Sequence, residues 1–147
     1  MKFDEFRPGQ VLRFGPATLS EADILAFARE YDPQWFHVDV ERARNGRWQG
    51  LIASGWQTCA IAMRLVVEGA LRGSESFGSP GLEYLKWLAP VRPGDALSVV
   101  AEVLDVRRSE RQPTLGIVRW RWRVVNQDDA DVLDLVATSL FDLAITR

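Results

Sequence analysis

The segment Asp32-Pro33-Gln34-Trp35-Phe36-His37 places the chain's single histidine a short reach from an aspartate. Histidine titrates near neutral pH, and a carboxylate and an imidazole on opposite sides of one water molecule can pass protons to and from a substrate. Asp32 and His37 are therefore the candidate pair for general acid and base work, although an Asp and a His this close also occur as a plain structural hydrogen bond. Competing chemistries are scarce. With one cysteine and one histidine the usual zinc spacings cannot be assembled, so no metal is expected. Cys59 sits among apolar helical neighbours, which suits a packed small hydrophobe better than a nucleophile.

The elements that must position this pair can be read from either side of it. After a Pro8-Gly9 turn, alternation over Gln10 to Phe14 predicts a short strand. Ser20-Glu21-Ala22-Asp23 resembles a capping box, and Ile24, Phe27, Ala28 and Tyr31 recur at helical spacing, so a helix should bury that stripe and end before Pro33. Asp32 then falls just past the helix, in a stretch too irregular for regular helix or strand. A second helix opens after Ser54-Gly55 and continues through Ala70, apolar on nearly every side. Such a helix needs a sheet wrapped around it.

From Gly81 onward the pattern turns to strands, at Leu82 to Leu88, Ala96 to Val106, Leu115 to Asn126 and Val132 to Ile145. Their short, turn-rich connections, Pro93-Gly94-Asp95 between the first two, predict antiparallel neighbours, and the preceding Gly73 to Gly81 piece reads as a mobile loop. The sum is an α+β domain, one antiparallel sheet curled around a long central helix. Its open sheet edges call for a homodimer or a higher homo-oligomer.

A chain of 147 residues, 47% of them apolar, fits one domain over residues 1–147. Eighteen basic against twenty acidic residues leave a formal net charge of -2, without the cationic excess that binds nucleic acid. Arg119-Trp120-Arg121-Trp122-Arg123 alternates cation and aromatic, but the same two-residue period puts tryptophans inside and arginines in solvent, where one could still meet the phosphates of coenzyme A. The charged start lacks a secretory signal, no apolar stretch is long enough for a membrane span, and the lone cysteine suits a reducing compartment. A cytoplasmic protein is expected.

Phe27 to Ala43 resembles the hydratase motif of the MaoC-like group, whose core runs Asp, any, Asn, Pro, any, His, any, Asp. Leu51-Ile52-Ala53-Ser54-Gly55 is similar to that family's entry into its central helix, and Leu85 to Asp95 to its strand and turn. The resemblance implies a hot-dog fold and the hydration or dehydration of an acyl thioester, 2-enoyl to (R)-3-hydroxyacyl, with Asp32 and His37 activating water. It also implies a homo-oligomer, no cofactor, and coenzyme A or acyl carrier protein as part of the substrate. The backbone N–H of Gly55 would polarise the thioester carbonyl, because helix amino ends carry free donors, although a glycine there could simply let the chain turn. Gln34 stands where the family usually has Asn, Trp35 where it has Pro and Ser54 where many members have His, so these three and Trp56 are the candidate substrate contacts. Trp48 and Trp56 could line an acyl channel or fill core. Asp39 matches the motif's second acid and suits a bond to local backbone. Two other readings stay open: a hot-dog thioesterase, and a non-catalytic acyl-binding subunit.

Overall fold

The computed structural model describes residues 1–144. Strand β1 (Val11–Thr18) leads into α1 (Glu21–Tyr31), two short helices follow, α2 (Trp35–Val38) and α3 (Val40–Arg44), and then the longer α4 (Gly55–Val66), extended by a π turn over Val67–Leu71. The rest is β2 (Ser76–Gly78), β3 (Leu82–Trp87), β4 (Ala96–Arg108), β5 (Leu115–Val125) and β6 (Asp131–Asp142). Ser20 starts α1 as its sequence predicts. Its hydroxyl accepts from Asp23 N–H, and the Asp23 carboxylate accepts from Ser20 N–H, both at 3.1 Å. Of the expected stripe, Ile24 and Ala28 are buried, whereas Tyr31 is exposed and stacks on Phe27 with ring centroids 5.1 Å apart.

All six strands form one antiparallel sheet in the order β1-β4-β5-β6-β2, with β3 also on β6. This is the α+β, hot-dog arrangement of a sheet packed around α4. Two expectations change. The stretch read as a mobile loop contains β2, which lies along β6 with Ser76 opposite Phe141. More consequentially, β3 and β4 are not neighbours: β3 pairs with β6, and β4 lies between β1 and β5. The turn at Pro93-Gly94-Asp95 is no hairpin, because the chain between these strands crosses the end of the domain. Val91 C=O accepts from Ala53 N–H at 2.9 Å on the way, and Gly94 N–H donates to Leu19 C=O at 2.7 Å. The crossing lays residues 89–91 beside residues 51–53. The last expected strand reached Ile145; β6 ends at Asp142, and Ile145 lies outside the described residues.

The two-residue period of β5 sends Val118, Trp120, Trp122 and Val124 into the core. Arg119, Arg121 and Arg123 point outward and are matched in turn by Glu83, Asp134 and Asp131. Cations paired this way are poorly placed to receive the phosphates of coenzyme A. Helix α4 buries Thr58, Ala62, Leu65 and Val66, yet Trp56 is 60% and Met63 42% exposed. The sheet thus covers one side of α4, not its whole circumference, and a stripe of Trp56, Ala60 and Met63 faces outward.

Candidate active site

Asp32 leaves α1 with φ -150° and ψ 67°, after its own N–H has closed the last turn onto Ala28 C=O at 2.9 Å. Pro33 prevents that helix from continuing. The segment expected to be irregular instead winds into the single turn of α2, with His37 N–H donating to Gln34 C=O at 2.9 Å. One turn folds the chain back on itself, which brings His37 Nε2 to 3.2 Å from Asp32 Oδ2. The imidazole is buried, and its Nδ1 lies 2.7 Å from Ile52 C=O. A carbonyl oxygen only accepts, so Nδ1 carries a hydrogen, and Nε2 is the ring nitrogen that faces the carboxylate.

Asp32 has further donors. Gln34 Nε2 gives a hydrogen bond to Oδ1 at 2.8 Å, and Ser54 Oγ gives one to Oδ2 at 2.7 Å. Partial burial pushes the Asp32 carboxyl upward, but the hydrogen bonds from Gln34 and Ser54 and the charge of His37 outweigh it, leaving the group below its ordinary value. Asp32 is therefore a carboxylate at neutral pH. Ser54 also caps α4, accepting from Trp56 N–H at 3.3 Å, and so ties the amino end of that helix to Asp32.

Asp32, Gln34, His37, Gly55 and Trp56 all line one cavity of about 460 Å³, within the range of small-molecule sites. Its other walls are Phe36, Trp48, Ile52 and Thr58, together with Trp87 and the crossing segment from Leu88 to Val91. Ser54 is fully buried behind Asp32 rather than in the wall. Trp35 is the candidate that the structure does not bring to the site. Its ring fills the space beside Gly46, where a Cβ would lie 2.7 Å from it, and Arg42 sits over it at 4.5 Å, so it braces α3. Asp39 caps α3 through Arg42 N–H at 3.0 Å, the structural role its position suggested.

Gly55 is explained by proximity and not by a turn. It is not among the residues with positive φ, but an added Cβ would collide with the pyrrole edge of Trp87. Trp87 in turn packs edge-on against Trp56, ring centroids 5.1 Å apart at 80°. As a first-turn donor, Gly55 N–H has no acceptor inside α4, and the residue lines the cavity at the amino end of the helix, where the dipole is positive. Sequence reasoning passed over Phe36 and Trp87. Phe36 stood inside the motif and Trp87 inside the strand that resembles the family's, but neither was singled out as a site residue. Cys59 is half-buried, and its thiol is pushed up by burial despite a contact from Trp87, as befits a packing residue.

The family described as MaoC like domain matches residues 4–122. The chain is 38% identical to the uncharacterized protein YdeM of Bacillus subtilis over 134 residues, 91% of this chain and 94% of that one. Among solved structures, the MaoC-like dehydratase from Rhodospirillum rubrum superposes with a TM-score of 0.87 at 37% identity, covering 95% of this chain and 94% of that chain. The (R)-hydratase PhaJ1 from Pseudomonas aeruginosa superposes with a TM-score of 0.75 over 95% of this chain and 84% of its own. At 24% identity that last likeness concerns the fold alone.

Proposed function

The chain belongs to the MaoC-like domain family, and from that premise we propose that it is a hydratase or dehydratase of acyl thioesters, interconverting a 2-enoyl and an (R)-3-hydroxyacyl thioester. The observation that carries this reading is the 3.2 Å approach of His37 Nε2 to Asp32 Oδ2 on the wall of a cavity that also reaches the amino end of α4. In the hydration direction, a water in the cavity, hydrogen-bonded beside both groups, adds its oxygen to C3 of the enoyl chain. One of its O–H bonds breaks and the proton passes to the Asp32 and His37 pair. The alkene electrons move through C2 toward the thioester oxygen, where Gly55 N–H and the positive helix end offset the developing charge. Return of the proton to C2 completes the product and restores the pair. His37 uses Nε2 for these transfers because Ile52 C=O holds the hydrogen of Nδ1.

The other components follow from the same reading. The substrate is carried by coenzyme A or acyl carrier protein in the cytoplasm, and water with two side chains suffices, so no further cofactor is used. Trp48 and Trp56 contribute to an apolar channel for the acyl chain, with Gln34 among the polar contacts at its reacting end. A second copy of the chain covers the exposed apolar surface of Trp56, Met63, Leu82 and Trp87, where β3 forms a sheet edge.

Purified protein mixed with crotonyl-CoA should remove the enoyl absorbance and yield a product heavier by one water. Asp32→Asn and His37→Ala should each lower kcat/KM by about 10²- to 10⁴-fold, the usual contribution of a positioned acid or base. Release of free thiol without loss of the enoyl absorbance would assign a thioesterase, and full turnover by both variants would remove Asp32 and His37 from the mechanism.

A further inference from the structure

Most of the polar groups around the reacting pair have a task in the scheme above, but the amide of Gln34 is used there only as a general contact. Its Nε2 is 2.8 Å from Asp32 Oδ1. A carboxylate can only accept, so the NH₂ side of the amide must face Asp32, and the orientation of the side chain is fixed without ambiguity. Oδ2, the other oxygen, accepts from Ser54 and lies opposite His37. The terminal torsion of an aspartate is broad and has no sharp well of its own. Hydrogen bonds to both oxygens are what hold this carboxylate at one angle.

We propose that Gln34 is a positioning residue: its amide N–H clamps Oδ1 of Asp32, so that Oδ2 stays turned toward His37 Nε2 and the water the two would share. This inference rests on the hydratase reading for its use, and on geometry alone for the clamp. The side chain makes no helix-cap bond, and among the described residues its hydrogen-bond partner is Asp32. The clamp also favours the charged form of Asp32, since hydrogen bonds given to a carboxylate stabilise the anion. Among the described residues, His37 on α2 is the titratable group against Asp32. Ser54 approaches from the amino end of α4, and the wall formed by Trp87, Leu88, Ala89, Pro90 and Val91 brings no ionisable side chain. Tyr31, the preceding residue, is turned away onto Phe27.

Gln34→Met keeps the length of the arm and removes the donor, and Gln34→Glu replaces the donor with a second carboxylate. Each protein would be labelled with ¹³C at the aspartate carboxyl carbons and titrated by NMR without substrate, Asp32 being assigned by the signal missing from Asp32→Asn. The Asp32 midpoint should rise in Gln34→Met and rise further in Gln34→Glu, where two carboxyl groups compete for one proton. With crotonyl-CoA, the Gln34→Met enzyme should lose about 10- to 100-fold in kcat/KM, mostly in kcat, the equivalent of a lost hydrogen bond to a charged group. The acid limb of its pH profile should move to higher pH in step with the NMR midpoint. An unshifted Asp32 midpoint in Gln34→Met, or a shifted midpoint with unchanged kcat/KM and pH profile, would overturn the proposal. Wild-type protein that hydrates no enoyl thioester would sink the hydratase reading, while a raised midpoint in Gln34→Met would still support the clamp.

Discussion

Gly55→Ala offers a quantitative test of how tightly the amino end of α4 is covered. The added methyl would lie 2.8 Å from Trp87 Cδ1 and nearer still to Cε2 and Nε1, so the indole must move. Inserting a methyl into packed structure costs about 1–3 kcal/mol. Against that, alanine in place of glycine in a helix returns about 0.5–1 kcal/mol. Trp87 is 47% exposed and can yield on its solvent side, so the lower part of the steric range applies. The expected net loss is therefore about 0.5–1 kcal/mol, or roughly 1–4 °C in Tm for a domain of this size.

The sign change in a second background is more telling than this small loss. With Trp87→Ala in place, the Gly55 methyl no longer meets the ring, and Gly55→Ala should become stabilising by about 0.5–1 kcal/mol. The difference between the two backgrounds is a coupling of about 1–2 kcal/mol. Urea unfolding of the four proteins at one fixed protomer concentration measures it, repeated at a second concentration to show that self-association does not carry the difference. Additivity to within about 0.5 kcal/mol would mean that the two residues do not touch, and the account of why position 55 is glycine would be wrong.

Ser54→Ala removes both the α4 cap and a donor to Asp32; it should cost about 1 kcal/mol in urea unfolding and raise the Asp32 midpoint in a carboxyl NMR titration. Met63→Glu places a charge on the exposed stripe of α4, and light scattering should find a lower oligomer fraction with far-ultraviolet circular dichroism unchanged; an unaltered mass would show that this face is not the contact. Asp134 is held below its ordinary carboxyl value of 3.8 first by the hydrogen bond from Arg121, against burial and with help from Tyr84. Because its folded value is depressed, its contribution is present above the ordinary value and lost as pH falls through the lowered one. Asp134→Asn should thus cost about 1 kcal/mol at pH 7, a figure held down by the partial exposure of Arg121, and the gap to wild type should close in acid unfolding curves; a gap that persists in strong acid would assign the loss to packing.

What was legible in the sequence was what operates within a turn or two of chain. Ser20 and Asp23 cap α1 through bonds between close neighbours, Pro33 forces the helix to stop at Asp32, and the period of Arg119 to Arg123 separates a core face from a solvent face. The Asp32 and His37 pair belongs to the same class, since a single turn of helix joins them. Patterns of this range also marked α4 as apolar, but they could not say that the sheet would leave Trp56 and Met63 outside.

Only the tertiary structure decided which distant segments meet there. The turn at Pro93-Gly94-Asp95 looked like a hairpin because turn chemistry is local, whereas β3 pairing with β6 and β4 lying between β1 and β5 depends on where the intervening chain crosses. That crossing brings Val91 to the cavity, and the packing of α4 brings Ser54 to Asp32, Ile52 to His37 and Trp87 over Gly55. Caps and periodicity are set by bonds between near neighbours, so the sequence determined that Asp32 and His37 lie together and which helices flank them. The lining of the cavity, the hydrogen bond from His37 Nδ1 and the bond from Ser54 to Asp32 come from contacts between segments far apart in the chain, which no local pattern encodes.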